Sequence, residues 1–328
     1  MSEKFNLKKI EKPAETANLQ SLELKANLNP EQRTYLEKLK ARAGKILGNK
    51  TVEDLEKAKD IKSLKKYKEI LQEILEFLKT KVMKGVIEGK TPEGKKVKFE
   101  LQEQLESWRD FYKKHNVDWA PLPEDISVTK EQAKEMRRLI KELGFDKMII
   151  IPENLVNTGE KYEKLNTLMS KGYNETYQEE DFIEQGGFDG LKNKSEKLKI
   201  ILTKVVQNLE DDELFKETLG ESVNDLEEEG GIFETKGVRG LDLGTYLVWQ
   251  REYFEKTGQH LDEKKRTLLT EEGSRPNPPN HGYVPHAFWW PDPLLRPGVG
   301  RLSFFSYTLG SCFDGLGCRL AGTFEIEE

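Results

Sequence analysis

Cysteine is nearly absent from this chain of 328 residues: only Cys312 and Cys318 occur, both close to the C-terminus. Two thiols cannot staple a chain of this size, so its stability must come from packed cores, and a reducing compartment is the default expectation. No run of about 18 apolar residues occurs, which excludes an ordinary membrane-spanning helix. The opening residues MSEKFNLKKIEKPAE lack an apolar stretch of the kind a secretory signal carries. The expectation is therefore cytoplasmic, with surface display by another route left open. Histidine is also scarce, at four residues. No phosphate-binding glycine loop, nucleophile-elbow motif or paired-carboxylate motif is present, and no internal repeat.

What the chain does have is charge: 34% charged residues against 36% apolar, with a net charge of −6. Nucleic acid is not an expected partner, because the Lys-rich runs such as 62–68 alternate with acids on helical spacing and read as solvated faces. A chain of this length is expected to hold two domains. Residues 1–28 read as a loose tail. Asn29-Pro30 opens a helix carrying Tyr35, Leu36, Leu39 and Ile46 and closed by Gly48. Thr51 is expected to cap a second helix, whose apolar stripe runs from Leu55 through Ile70 and Ile74 to Leu78. Val86-Ile87 and Val97-Lys98-Phe99 flank Pro92-Glu93-Gly94, the pattern of a small hairpin. A third helix is predicted over Glu100–Lys114 and a fourth from a Thr129 cap to Gly144.

At Met148–Ile151 the pattern changes to a short apolar run closed by Pro152, which reads as a buried strand. A domain boundary is placed just before it. The expected architecture is α+β: a helical domain over 1–146, then a mixed domain of short strands and long loops over 147–328. Within the latter, a helical piece is expected near Tyr162–Met169. Residues 197–206 are apolar at the centre, and periodicity leaves strand or helix open there. Asp211–Glu229 reads as acidic and largely exposed. Asp242 caps a helix with Leu243, Tyr246, Leu247, Trp249, Tyr253 and Phe254, ended by Gly258. Thr267–Leu269 reads as a short strand, and His115 and His260 as surface or capping residues.

From Arg275 onward the alphabet changes. Glycine and proline recur every few residues, favouring short strands and turns. Between Pro291 and Phe324 there is no Lys, Glu, Gln, Met or Trp. The side chains between the turns are aromatic and small polar, a composition suited to recognition because rigid rings supply contact area at low entropic cost.

The residues Tyr246–Glu263, Val284–Asp292 and Gly317-Cys318-Arg319-Leu320-Ala321 resemble the C-type-lectin-fold variable proteins of diversity-generating retroelements, the archaeal type in particular. The likeness covers about the last 90 residues and by extension 147–328; residues 1–146 carry none. In that family a reverse transcriptase rewrites adenines, so that asparagine codons of the AAC or AAT kind become any codon ending in C or T. Such codons cannot encode the five residue types missing from 291–324. The resemblance implies a variable region at about 285–324 and a binding protein, not an enzyme, with no cofactor. Its partner would be a macromolecule, protein or cell-surface in kind. It also implies that the first and last strands of the domain pair, Met148–Ile151 with Leu320–Ile326. The presented surface is expected at Asp292, Pro293, Leu295, Arg296, Phe305, Tyr307, Cys312, Phe313 and Asp314. The framework is expected at Trp290, Gly317, Arg319 and Ala321.

Rival readings use the same residues. The helices of 30–145 suit an adaptor that binds partners itself. The lectin-type fold also houses formylglycine-generating enzymes, for which Cys312 and Cys318 would be the copper-handling pair. His281, His286, Cys312 and Cys318 form a candidate zinc set, although the spacing of the two cysteines is wider than usual. Calcium is disfavoured, since the closing loops lack the carboxylates it needs.

Overall fold

A computed structural model of the protein describes residues 30–48, 54, 60–81, 85–171, 175–192, 196–205, 213–262, 265–276, 282–291, 300–312 and 314–326. The expected N-terminal tail and the start of the second helix lie outside these residues. The fold is α+β. Its packing separates two units: one holds the chain up to Gly85 together with Ile126–Glu135, and the other holds Val86–Asp125 with Met136–Ile326.

In the first unit, α1 (Pro30–Leu47) packs against α2 (Ile61–Lys81). Leu36, Leu39, Ala43 and Leu47 on one and Tyr67, Ile70 and Ile74 on the other are buried. These positions recur at three and four residues, so each helix presents a single apolar stripe.

The second unit begins with a hairpin, β1 (Val86–Lys90) and β2 (Lys96–Glu100), turning through Gly94 in the left-handed region at φ 84°. Helix α3 (Leu101–Lys114) follows directly. Its Trp108 indole donates to the Met148 carbonyl at 3.1 Å, and its Tyr112 hydroxyl to the Ile150 carbonyl at 2.9 Å. The boundary expected before Lys147 thus lies inside this unit. Aromatic residues on α3 need buried acceptors, and the strand beyond supplies them. Helix α4 (Lys130–Leu143) opens with a reciprocal cap: Thr129 Oγ1 accepts from the Gln132 N–H at 3.1 Å, and Gln132 Oε1 from the Thr129 N–H at 2.9 Å.

The remaining elements are β3 (Lys147–Ile151), α5 (Gly159–Met169), β4 (Glu175–Gln178), α6 (Glu180–Glu184) and β5 (Leu198–Thr203). After them come α7 (Glu213–Thr218), α8 (Val223–Glu227), α9 (Ile232–Lys236), β6 (Arg239–Gly240) and α10 (Leu243–Thr257). Strands β7 (Arg266–Leu268), β8 (Tyr283–Pro291), β9 (Gly300–Thr308), β10 (Leu316–Cys318) and β11 (Leu320–Ile326) complete the chain. A four-stranded sheet has the order β3-β5-β11-β6, and a five-stranded sheet the order β10-β7-β8-β9-β4.

One expectation is corrected here. The first and last strands share a sheet but do not pair, because β5 lies between them. Every residue of β5 is buried, and a strand apolar on both faces is stable only at the centre of a covered sheet. The acidic stretch read as largely exposed keeps Glu217, Glu221, Asp225, Glu227, Glu228 and Glu229 exposed, and over its described residues it forms α7 and α8, which bury Phe215, Val223 and Leu226. Ser222 and Asp225 close a capping box on α8. The Phe215 ring lies against Gly317 so closely that an added Cβ would stand 2.7 Å from it.

Arg319 stands where the chain leaves β10 for β11, and so at the passage from one sheet to the other. Its Nη2 lies 3.0 Å from Asp262 Oδ1 and donates to the Leu261 carbonyl at 2.6 Å, while its guanidinium lies 5.2 Å over the Trp249 ring. Both ion-pair side chains are essentially unexposed, at 2% and 0%. The Asp262 carbonyl in turn accepts the N–H of Trp289 on β8. Removing one partner of such a pair strands a buried charge, so Asp262→Ala should lower unfolding stability by about 3–5 kcal/mol, read as a shift of the urea midpoint. Retention of wild-type stability would mean that the pair is dispensable.

Candidate functional site

Strands β8 and β9 pair antiparallel over nine positions, from Tyr283 opposite Thr308 to Pro291 opposite Gly300. Side chains alternate across a sheet, so this register sorts them into two sets. One set, with Trp289, Leu302 and Phe304, is buried. Phe304 meets Phe182 and Phe188, and Trp289 stacks on His260 with centroids 3.3 Å apart. This side is the core.

The other set holds His286, Phe288 and Trp290 from β8 with Arg301, Ser303, Phe305 and Tyr307 from β9. Tyr177 joins it from β4, whose parallel register sets it beside Ser303, and Arg266 joins it from the start of β7. The side chains form a ladder of rings and guanidinium groups. Arg301 lies 4.9 Å over Tyr177 and 6.0 Å from the Trp290 ring, and Trp290 meets Phe288 edge to face. Arg266 lies 5.4 Å over both Phe288 and Phe305, and its Nη1 donates to the Tyr307 hydroxyl at 2.7 Å. His286 is sandwiched by Phe305 and Tyr307, with centroids at 4.7 and 4.3 Å. Tyr177 is 44% exposed and Trp290 39%, while Phe288, Phe305 and Tyr307 are half-buried. Each guanidinium is thereby held in place by the faces of rings, and a preordered cation costs less entropy to use in binding.

His286 itself is fully buried, and among the described residues neither ring nitrogen has a hydrogen-bond partner. Burial holds its pKa well below the usual histidine range, with the charge of Arg266 adding to the effect.

Among the residues expected at the surface, Phe305 and Tyr307 lie on this face, two positions apart on β9. Cys312 and Asp314 are exposed in the connection between β9 and β10. Asp292, Pro293, Leu295, Arg296 and Phe313 lie outside the described residues. Of the expected framework, Gly317, Arg319 and Ala321 are buried. Trp290 is exposed, and the interior position belongs to its neighbour Trp289. Adjacent residues on a strand point to opposite faces, so only one of the two tryptophans can enter the core. His115 and His260, read as surface or capping residues, are both buried, and His115 is the C-cap of α3. His260 pairs with Gln250 and stacks between Phe254 and Trp289. Sequence reasoning did not find Tyr177, Phe288, Arg266 or Arg301. The alternation of β8 was available as a signal for Phe288, but parallel pairing of β4 with β9 was not.

The two cysteines are free and differently placed, Cys312 exposed and Cys318 buried. The Cys318 thiol faces Thr270 Oγ1 at 3.7 Å and the Leu268 carbonyl at 3.8 Å, and burial pushes its pKa up to about 12. A thiol so held stays protonated, whereas metal ligation and nucleophilic attack use the thiolate. His281 of the candidate zinc set lies outside the described residues. Among the described residues no cluster of three or more His, Cys, Asp or Glu side chains is arranged to hold a metal ion.

Compared with protein-family models, with curated proteins and with solved structures, the chain has no match.

Two measurements probe this description. Native protein should consume one equivalent of a thiol reagent at Cys312, with Cys318 reacting only after denaturation; rapid labelling of Cys318 in the folded state would contradict its burial. The unfolded chain protonates His286 near the ordinary value of about 6.5, while the folded chain resists protonation. The unfolded state therefore binds more protons, and stability present above that pH is lost as the pH falls through it. The urea midpoint should drop between about pH 7 and pH 5, and His286→Phe should remove part of that slope.

Proposed function

We propose that this chain is a non-enzymatic binding protein in which a lectin-like C-terminal domain presents a face diversified by retroelement-directed mutagenesis, with a macromolecule as its ligand. One observation carries this reading. Tyr177, Phe288, Trp290, Phe305 and Tyr307, with Arg266 and Arg301 between them, stand on one face of a sheet whose reverse face is packed core. Half-exposed rings and ordered guanidinium groups are the groups that anchor protein interfaces. Phe305 and Tyr307, the expected variable positions on this face, stand on a strand that the core fixes, so their identity can change without loss of the fold.

Three further features support the reading. The five residue types that codons ending in C or T cannot encode are absent from 291–324. The strands β3 and β11 lie in one sheet while the aromatic face belongs to the other, which suits a lectin-like division between a closing sheet and a presenting one. Cys312 and Asp314 continue the exposed surface past the end of β9.

A library tests the proposal. Randomising Phe305, Tyr307, Cys312 and Asp314 with codons ending in C or T should leave most members protease-resistant, and selection on display should recover variants with new targets. The same randomisation of Leu302, Phe304, Leu316 and Cys318 should unfold most members, since each core substitution costs about 1–5 kcal/mol. Equal loss of folding in both libraries would sink the proposal. So would a genomic neighbourhood without a reverse transcriptase gene and a near-copy of the 3′ coding end that differs at adenines.

A further inference from the structure

The two edges of the four-stranded sheet are treated differently. At β3 the outward-facing carbonyls of Met148 and Ile150 accept side-chain hydrogen bonds from Trp108 and Tyr112. That edge is closed. At the opposite edge, β6 is only two residues long and pairs with β11 at Leu320 and Ala321 alone. Gly322–Ile326 extend beyond it, paired on the β5 side only.

The direction of each main-chain group follows from the register. The Thr203 carbonyl accepts from the Asp146 N–H, so Thr203 turns its polar groups toward β3. N–H and C=O of one residue point to the same side, and successive residues alternate. Leu202, Ile200 and Leu198 therefore turn toward β11, where they meet Gly322, Phe324 and Ile326. The Leu320 carbonyl, which accepts from Thr203 Oγ1, also turns toward β5, as this phase requires. Ala321 and Thr323 then turn away from β5. Ala321 meets Arg239 of β6, while β6 has already ended at the level of Thr323.

This open stretch borders a cleft of about 780 Å³ lined by Ala321 and Thr323, by Phe233, Val238 and Arg239, and by Arg275 with other charged residues. Of the three acids on its walls, Glu227 is engaged by Arg275, Glu234 accepts the Gly230 N–H, and Glu271 also has a partner of its own. Arg239 is exposed, its guanidinium 5.4 Å over the Phe233 ring, and it forms no ion pair with a described residue. A peptide main chain offers the donor and acceptor that Thr323 lacks among the described residues, and one acidic side chain offers the counter-ion that Arg239 lacks among them.

We propose that the β11 edge takes up an extended peptide segment bearing an acidic residue, which adds to the four-stranded sheet as a strand in the cleft beside Thr323. The main chain supplies the common part of the affinity, as in other strand-addition modes, and the acid opposite Arg239 supplies selectivity. This site is separate from the aromatic face and does not rest on the function proposed for it.

The test uses the full chain and the synthetic peptide acetyl-Thr-Val-Glu-Val-Thr-Val-amide. At saturating peptide, hydrogen exchange at the Thr323 amide should slow about tenfold, as expected for a hydrogen bond kept closed nine-tenths of the time. A peptide N-methylated at alternate amides should give no slowing. Replacing its Glu by Lys, or making Arg239→Glu, should weaken binding about two- to fivefold, the scale of one exposed charge pair. Three results would overturn the proposal: unchanged exchange at Thr323, equal slowing by the N-methylated peptide, or protection that rises with protein concentration in the absence of peptide. The last would assign the edge to a second copy of this chain.

Discussion

The buried pair of Arg319 and Asp262 is the constraint on which the second unit turns. Arg319 is the one residue between β10 and β11, and its guanidinium meets the Asp262 carboxylate, the Leu261 carbonyl and the Trp249 ring. Asp262 also holds β8, through the hydrogen bond from the Trp289 N–H to its carbonyl. One charge pair thus links the last strand of one sheet, the central strand of the other and helix α10. Buried pairs of this kind gain little over a well-packed apolar substitute, but they tolerate only one geometry. At this joint geometry is what matters: a slip of one residue at Arg319 would turn the side chains of β11 to the wrong face.

With that joint held, the two sheets serve different ends. The four-stranded sheet carries the all-buried β5 at its centre and is closed along β3 by two aromatic side chains. The five-stranded sheet buries one face, where Phe304 meets Phe182 and Phe188 and Trp289 stacks on His260, and leaves rings and guanidinium groups on the other. Cation–π contacts order those groups before any ligand arrives, so that less conformational entropy is lost on binding. The buried His286 beneath Phe305 and Tyr307, unpartnered among the described residues, is a cost borne within the face, since its ring nitrogens forgo hydrogen bonds they would have in water.

Much of the local structure was legible in the chain. The Thr129 and Asp242 caps, the turn at Pro92–Gly94 and the left-handed Gly258 end their elements as their chemistry demands. The candidate face was legible only in part. Tyr307 stood out because small polar residues, Ser306 and Thr308, flank it. Trp290 was assigned to the framework, because nothing local distinguishes it from Trp289. The position of β5 between β3 and β11 was likewise hidden, since its apolar run is equally consistent with a helix. His260 was read as a surface or capping residue because its partners, Gln250, Phe254 and Trp289, come from a helix turn and a strand that only folding brings together.

By itself the sequence determined the ends of several of the longer helices, through the Thr129 and Asp242 caps and Gly258, that the closing segment consists of strands and turns, and that its alphabet differs from the rest. These properties depend on backbone propensities and on neighbours within a few residues. Tertiary structure alone decided which tryptophan faces the core, which strand separates the first from the last, and which edge of the sheet stays open. Each of these depends on register between segments far apart in the chain, and register is set by packing and pairing that no local pattern contains.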